Sequence, residues 1–308
     1  METKHPHRPT RETLVIAGLL ATALALTACG GGSDKAGGDK LANGDTKNIS
    51  IGVPSGWDEG IATSAVFTHI LEDEGYTVDA KTADVAVIYT GLSKGDFNVF
   101  LDAWLPVTHK DYVAKYKDSI TDLGTWYEGA TLNIAVNEDS PAKTIEDLKT
   151  MGGEYGNKLI GIEPGAGLTA QTKQAIKDYG LDDIDLRTSS TPAMLAELKG
   201  AAAKKQNIAV TLWHPHWAYA AYPLRDLEDP KGSMGKGESL HSYGDKDFTS
   251  EYPNVTKLLA AFTMSDEKLA ELEKDINDAG NDADKGSANW LEDNPDFVAE
   301  LKKAAGVE

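Results

Sequence analysis

Residues 159–179 read LIGIEPGAGLTAQTKQAIKDY, and the rest of the chain takes its meaning from them. The apolar run 159–162 has strand length, Gly165-Ala166-Gly167 makes a turn, and 169–179 carries a helical pattern. A strand that feeds a helix through a short glycine turn is the repeating unit of α/β sheets. The alternation extends in both directions. Upstream, 49–53 is a strand and 61–74 a helix with apolar residues at Ile61, Ala65, Ile70 and Leu71. Residues 85–89, 97–101 and 132–136 are further strands, the last followed by a helix through Ile145 and Leu148. Downstream, 194–204 is helical, 208–212 is a buried type of strand, and helices follow over 254–262, 266–279 and 296–305. The fold class is therefore α/β with a mainly parallel or mixed sheet. The body exceeds what one small α/β lobe requires, which predicts two lobes with a ligand cleft between them. Residues 49–135 form lobe I, 136–240 form lobe II, and the mostly helical 241–308 returns to lobe I. The crossings are expected near 132–137 and 240–245.

The start of the chain has a different character. Lys4, Arg8 and Arg11 precede the apolar run 14–25, which is short for a membrane span and has the form of a signal-peptide core. It ends in Leu26-Thr27-Ala28-Cys29-Gly30, which resembles a bacterial lipobox, in which cleavage precedes the cysteine and the cysteine carries lipid. Cys29 is the single cysteine of the chain, so no intrachain disulfide is available. Residues 1–28 are read as a signal peptide, and 29–48 as the lipidated cysteine with a flexible tether of Gly, Ser, Asp and Lys. The expected location is extracytoplasmic, lipid-anchored to the outer face of a bacterial cell membrane.

Composition excludes some functions. The formal charge is −19 over 308 residues. A nucleic-acid backbone must be neutralised by Lys and Arg, so no nucleic-acid partner is expected. The chain carries no P-loop, so any ATP hydrolysis it depends on occurs in another subunit.

Three of the six tryptophans share one topological position. Trp57 follows the first strand, Trp104 follows the strand ending near Leu101, and Trp213 follows 208–212. Ligands of open α/β sheets bind outside the carboxyl ends of strands, so the three indoles are expected to converge on one cleft. Each taken singly also reads as a local core plug. Indole faces suit a trimethylammonium group, which is positive yet has no N–H to donate. Three cation–π contacts give roughly 2–6 kcal/mol, whereas micromolar affinity needs about 8. The other end of such a ligand must therefore be held too. The turn at 163–169 supplies free N–H groups and a positive helix end, suited to a carboxylate. His109, five residues after Trp104, offers a further donor.

Four segments carry a specific resemblance: GWDEGIATS (56–64), AWLPVTHKDY (103–112), GIEPGAG (161–167) and LWHPHW (212–217). With them, nearly all of residues 49–308 resembles the tryptophan-cage glycine betaine-binding proteins of osmoprotectant ABC importers. The resemblance implies a two-lobed, periplasmic-binding-protein-like fold without catalysis or cofactor. It implies a cation cage of Trp57, Trp104 and Trp213. His109 and the backbone amides of Gly167 and Leu168 would hold the ligand carboxylate. The implied partners are glycine betaine or a related betaine and the transporter's permease subunits with their ATPase. His214 stands where the family often has Thr, which bears on fine specificity.

Other motifs take other readings. Gly165, Gly167 and Ala170 meet the looser dinucleotide pattern, but an exported chain would meet little such cofactor. His214 and His216 lack a nearby cysteine or acidic cluster, so no metal is expected. Trp217 is expected beneath Trp213, and Trp126 and Trp290 in the core. Asp58 and Glu59 read as a solvated helix start, with tuning of the cage field as the alternative, and 266–278 as a solvated acidic face. The competing class is a secreted, aromatic-lined glycosidase with two facing carboxylates. No Ser-His-Asp or Cys-His signature is evident.

Overall fold

A computed structural model describes residues 39–307, so the leader, Cys29 and the tether up to residue 38 lie outside the described residues. Strands and helices alternate through β1 (Asn48–Pro54), α1 (Asp58–Asp73), β2 (Thr77–Ala83), α2 (Val85–Lys94), β3 (Val99–Leu105) and α3 (Lys110–Tyr116), of which β2 and α3 are elements not expected from the sequence pattern. The long strand β4 (Ile120–Asn137) then leads to α4 (Leu148–Met151), β5 (Lys158–Gly161), α5 (Gly167–Tyr179), β6 (Asp185–Thr188) and α6 (Thr191–Lys204). After β7 (Ala209–His214), α7 (Ala218–Ala221) and β8 (Leu224–Asp226) the chain returns through β9 (Glu238–Asp245). Five helices close it: α8 (Phe248–Glu251), α9 (Pro253–Ala261), α10 (Asp266–Asp278), α11 (Ala283–Asp293) and α12 (Phe297–Ala305).

The strands form one mixed sheet in the order β2-β1-β3-β9-β4-β7-β5-β6, with β8 also on β4. β1 runs parallel to β2 and β3, and β5 parallel to β6 and β7. The antiparallel pairs all involve β9 or β4. β4 joins the two halves: Ile120 to Ala130 pair with β9, and Thr131 to Val136 pair with β7. The fold is thus α/β and two-lobed, with strand ends of both halves turned toward the point where β4 changes partner.

Three local expectations are corrected. Residues 85–89 form the first half of a helix, α2, which ends at Gly95 with φ +77°. A five-residue apolar run does not distinguish a buried helix segment from a strand, and here Val85, Ile88, Tyr89 and Leu92 bury one helical stripe. Residues 39–47, assigned to the tether by composition, are folded onto the body. Lys40 and Thr46 form a β-bridge. Asp45 is fully buried and accepts from the Tyr76 hydroxyl and from the backbone N–H groups of Asn254 and Val255 at the start of α9. Trp217 does not pack directly beneath Trp213, because the His216 ring contacts both, at 4.6 and 5.6 Å between centroids. Trp126 and Trp290 are fully buried, as expected.

Candidate functional site

The stretch between Trp104 and His109 is tied to itself twice. The His109 N–H donates to the Trp104 carbonyl (2.9 Å), and the Trp104 N–H donates to His109 Nδ1 (3.0 Å). An Nδ1 that accepts leaves the proton of a neutral imidazole on Nε2. The ring is fully buried, and burial lowers its pKa to about 3, so it is neutral. It stacks on Trp57 at 5.7 Å between centroids and 15° between planes, with Tyr89 and Tyr112 against its edges. Among the described residues, Nε2 has no hydrogen-bond partner. The same loop is clamped from β9: the buried Glu238 carboxylate accepts from the N–H groups of Val107 and Thr108 and from the Thr108 hydroxyl.

Across from this loop begins α5. Its first-turn N–H groups, those of Gly167, Leu168 and Thr169, have no acceptor within their own helix. Gly167 is demanded by the approach of the two elements. A Cβ there would lie 2.4 Å from Thr108 Cγ2 and 2.5 Å from the Thr108 carbonyl oxygen, distances no packed carbon tolerates. The Tyr112 hydroxyl donates to the Gly165 carbonyl (3.0 Å) and fixes the glycine turn against α3.

Trp57, Trp104 and Trp213, 7%, 3% and 2% exposed, line one cavity. His109, Gly167 and Leu168 line it as well, so the six residues expected to hold a ligand are brought together. The strand ends differ slightly from expectation, since Trp104 and Trp213 are the penultimate residues of β3 and β7 rather than lying after them. Thr108, Leu132, Ile162 and Ala166 complete the apolar wall, and Glu59 is its acidic member.

The indoles are held from behind by carboxyl groups. Trp104 Nε1 donates to Asp102 (2.8 Å), Trp213 Nε1 to Glu59 (2.9 Å) and Trp217 Nε1 to Asp58 (2.6 Å). The bonds to Asp102 and Glu59 fix the orientation of the Trp104 and Trp213 rings, whereas Trp57 Nε1 is buried with no hydrogen-bond partner among the described residues. Burial raises the Asp102 carboxyl to about 7 and Asp58 to about 6, and with its acidic neighbours it holds Glu59 well above the usual carboxylate range. Glu59 is therefore no solvated helix start. It is 1% exposed, and its neighbour in the acidic run of α10, Glu273, is buried too. Sequence reasoning preferred a solvated place for Glu59 and missed Asp102 and Glu238. The available signal was slight: Asp102 stands two residues before Trp104, and Glu59 two after Trp57.

His214 is outside this cavity. Its ring stacks on Tyr219 at 3.9 Å, and Nε2 contacts Asp226 (2.9 Å). Its bearing on specificity is thus at most indirect. His216 Nδ1 accepts from the Ala218 N–H, so the two histidines serve different partners.

Comparison with known proteins agrees with this geometry. A family described as the substrate binding domain of ABC-type glycine betaine transport systems (OpuAC) matches residues 47–293. The glycine betaine/carnitine transport binding protein GbuC of Listeria monocytogenes serotype 1/2a (strain 10403S) is 38% identical over 162 residues, 52% of this chain and 53% of that protein. The match thus spans about half the length of that relative. The crystal structure of lactococcal OpuAC, closed and complexed with glycine betaine, superposes with TM-score 0.77 at 30% identity, covering 83% of this chain and 99% of that one. An ABC-transporter choline-binding protein in complex with choline superposes equally well, with TM-score 0.77 at 28% identity over 85% of this chain and 92% of that one.

Proposed function

The chain belongs to the OpuAC family of substrate-binding domains of ABC-type glycine betaine transport systems, and from that premise we propose that it captures glycine betaine or a close quaternary-ammonium zwitterion for import. One observation carries the reading. Three indole faces and a neutral histidine with a free N–H surround a single cavity at the start of a helix. The methylated cation lies among Trp57, Trp104 and Trp213. The carboxylate accepts from His109 Nε2–H and from the amides of Gly167 and Leu168. Cation–π contacts of about 0.5–2 kcal/mol each, with a charge-assisted hydrogen bond of about 1.5–3, sum to roughly 3–9 kcal/mol, the upper end of which reaches the micromolar range.

Capture and release without chemistry then follow from closure of the two halves on a ligand that touches both. The loaded protein delivers its ligand to permease subunits whose ATPase drives import, in the service of osmoprotection. Signal cleavage before Cys29 and its lipidation would hold the protein at the outer face of the cell membrane. Among the described residues no helix is long and apolar enough to cross a membrane.

A second ligand deserves a place because of Glu59. A carboxyl in the cavity wall favours a ligand with net positive charge, which is the case for choline. Calorimetric titration of the purified protein with glycine betaine, choline, carnitine and proline betaine decides between them. Absence of heat with every one at millimolar concentration removes the assignment.

A further inference from the structure

Among the described residues, Glu59 is a carboxyl group without a compensating cation. Its neighbours come from every element packed around it: Asp102 from β3, Glu273 from α10, Asp58 beside it on α1, His109 across the cavity, Tyr127 from β4 and His216 beyond β7. The Asp102 carboxyl lies against the first turn of α1, since a Cβ on Gly60 would sit 2.5 Å from its Oδ2. Asp102 Oδ2 and Glu273 Oε1 are buried with no hydrogen-bond partner among the described residues. Among those residues no lysine or arginine forms an ion pair with Glu59, Asp58, Asp102 or Glu273. Both nearby imidazoles are held neutral by burial.

We propose that Glu59 exchanges a proton for the ligand: arrival of a quaternary-ammonium group in the cage expels the carboxyl proton of Glu59 to solvent, so that capture and proton release are one event. The inference rests on the ligand reading above and adds a coupling that reading does not require. The charge balance is simple. A trimethylammonium group cannot lose its charge, so one positive unit enters a poorly solvated cavity. Loss of H⁺ from the Glu59 O–H removes one, so with choline the net charge of the cavity is unchanged, while glycine betaine, whose carboxylate is held in the same cavity by His109, Gly167 and Leu168, draws the proton out less completely. The geometry favours Glu59 as the source because it alone among these carboxyl groups lines the cavity with the indoles. Its ionised form also strengthens the hydrogen bond from Trp213 Nε1, which becomes charge-assisted. In the empty site, burial and the acidic neighbours favour the protonated form.

The direction of the pH effect follows. The bound state holds fewer protons than the free state, so affinity rises with pH, by up to tenfold per pH unit between the bound-state and free-state pKa values. The test is titration calorimetry near pH 7 in phosphate and in Tris, whose ionisation enthalpies differ, with glycine betaine and with choline. Wild-type protein should release up to one proton per choline and a smaller fraction per glycine betaine, whose carboxylate enters the same cavity. Glu59→Gln, whose amide oxygen still accepts from Trp213, should bind more weakly and release almost none. A wild-type heat independent of buffer overturns the proposal while leaving the ligand assignment intact. Proton uptake, pointing to His109, overturns it equally, as does release that persists in Glu59→Gln. Should that variant fail to fold, Asp102→Asn serves. Removing a like charge beside Glu59 should shift the pH of maximal release downward, and an unmoved profile contradicts the coupling. Absence of binding in every buffer defeats the ligand assignment itself, and the proton exchange with it.

Discussion

His109 offers the sharpest test of the carboxylate end of the site. The informative change is His109→Asn. Its Oδ1 can take over from Nδ1 as acceptor for the Trp104 N–H, so the 104–109 turn keeps its tie. The donor at the Nε2 position is lost. A hydrogen bond to a charged group contributes about 1.5–3 kcal/mol, which at 1.4 kcal/mol per decade is roughly a 10- to 150-fold loss of affinity for glycine betaine. The smaller side chain also gives up stacking against Trp57, and that loss is shared by every ligand of the cage. Choline has no carboxylate and senses only the shared part. The decisive quantity is therefore the ratio of the two losses, read by calorimetry or by tryptophan fluorescence on one preparation. A ratio well above ten supports donation from Nε2 to the ligand. Equal losses for the two ligands would refute the assignment, however large each of them was.

Other expectations follow from the same geometry. Single replacement of Trp57 or Trp104 by Ala should weaken quaternary-ammonium binding by at least roughly 2- to 30-fold, the worth of one cation–π contact, while Phe should recover part of it. Trp213→Ala and Trp104→Ala should each cost more than Trp57→Ala, because they also remove the indole donors to the buried Glu59 and Asp102. Competition binding measures all three, and a neutral Trp104→Ala would contradict the cage. Gly167→Ala should weaken binding by roughly 5- to 150-fold through about 1–3 kcal/mol of overpacking. Thr108→Ser in the same chain should not restore it, because the backbone oxygen of Thr108 remains 2.5 Å from the new Cβ. Glu273 governs stability. Burial, then Asp58, raises its carboxyl from 4.5 to about 8, so the folded state keeps a proton that the unfolded state loses. That stability is complete below about pH 4.5 and declines by up to about 1.4 kcal/mol per pH unit as pH rises toward 8. Urea denaturation across this range should show a shallower decline in Glu273→Gln, and identical slopes in the two proteins would exclude Glu273 as the source.

Much of this was readable from residue type and spacing. Strand, glycine turn and helix at 159–179 imply α/β in any context, because the periods of 2 and 3.6 and the turn chemistry are local properties of the backbone. Trp57, Trp104 and Trp213 could be singled out because each sits where a strand ends. The helices at 169–179, 194–204 and 266–279 appear within a few residues of their expected positions. Local pattern failed where the deciding partner is remote. Residues 85–89 became helical because their apolar stripe packs on the sheet, which a five-residue run does not reveal. Residues 39–47 looked like tether until Asp45 met the start of α9, more than 200 residues away. Glu59 looked solvated because acidic residues are common in the first turn of an exposed helix, yet its acceptor role depends on Trp213, 154 residues further on.

By itself, then, the sequence determined the fold class, the three indoles, the histidine and the glycine turn, since each is a statement about residue type at a local position. Tertiary structure alone decided that these elements share one cavity, that His214 stands outside it, and that acidic side chains are buried behind the cage. The physical reason is desolvation. Whether a carboxyl is a solvated surface charge or a protonated wall of a binding site depends on what surrounds it in space, and chain position does not carry that information.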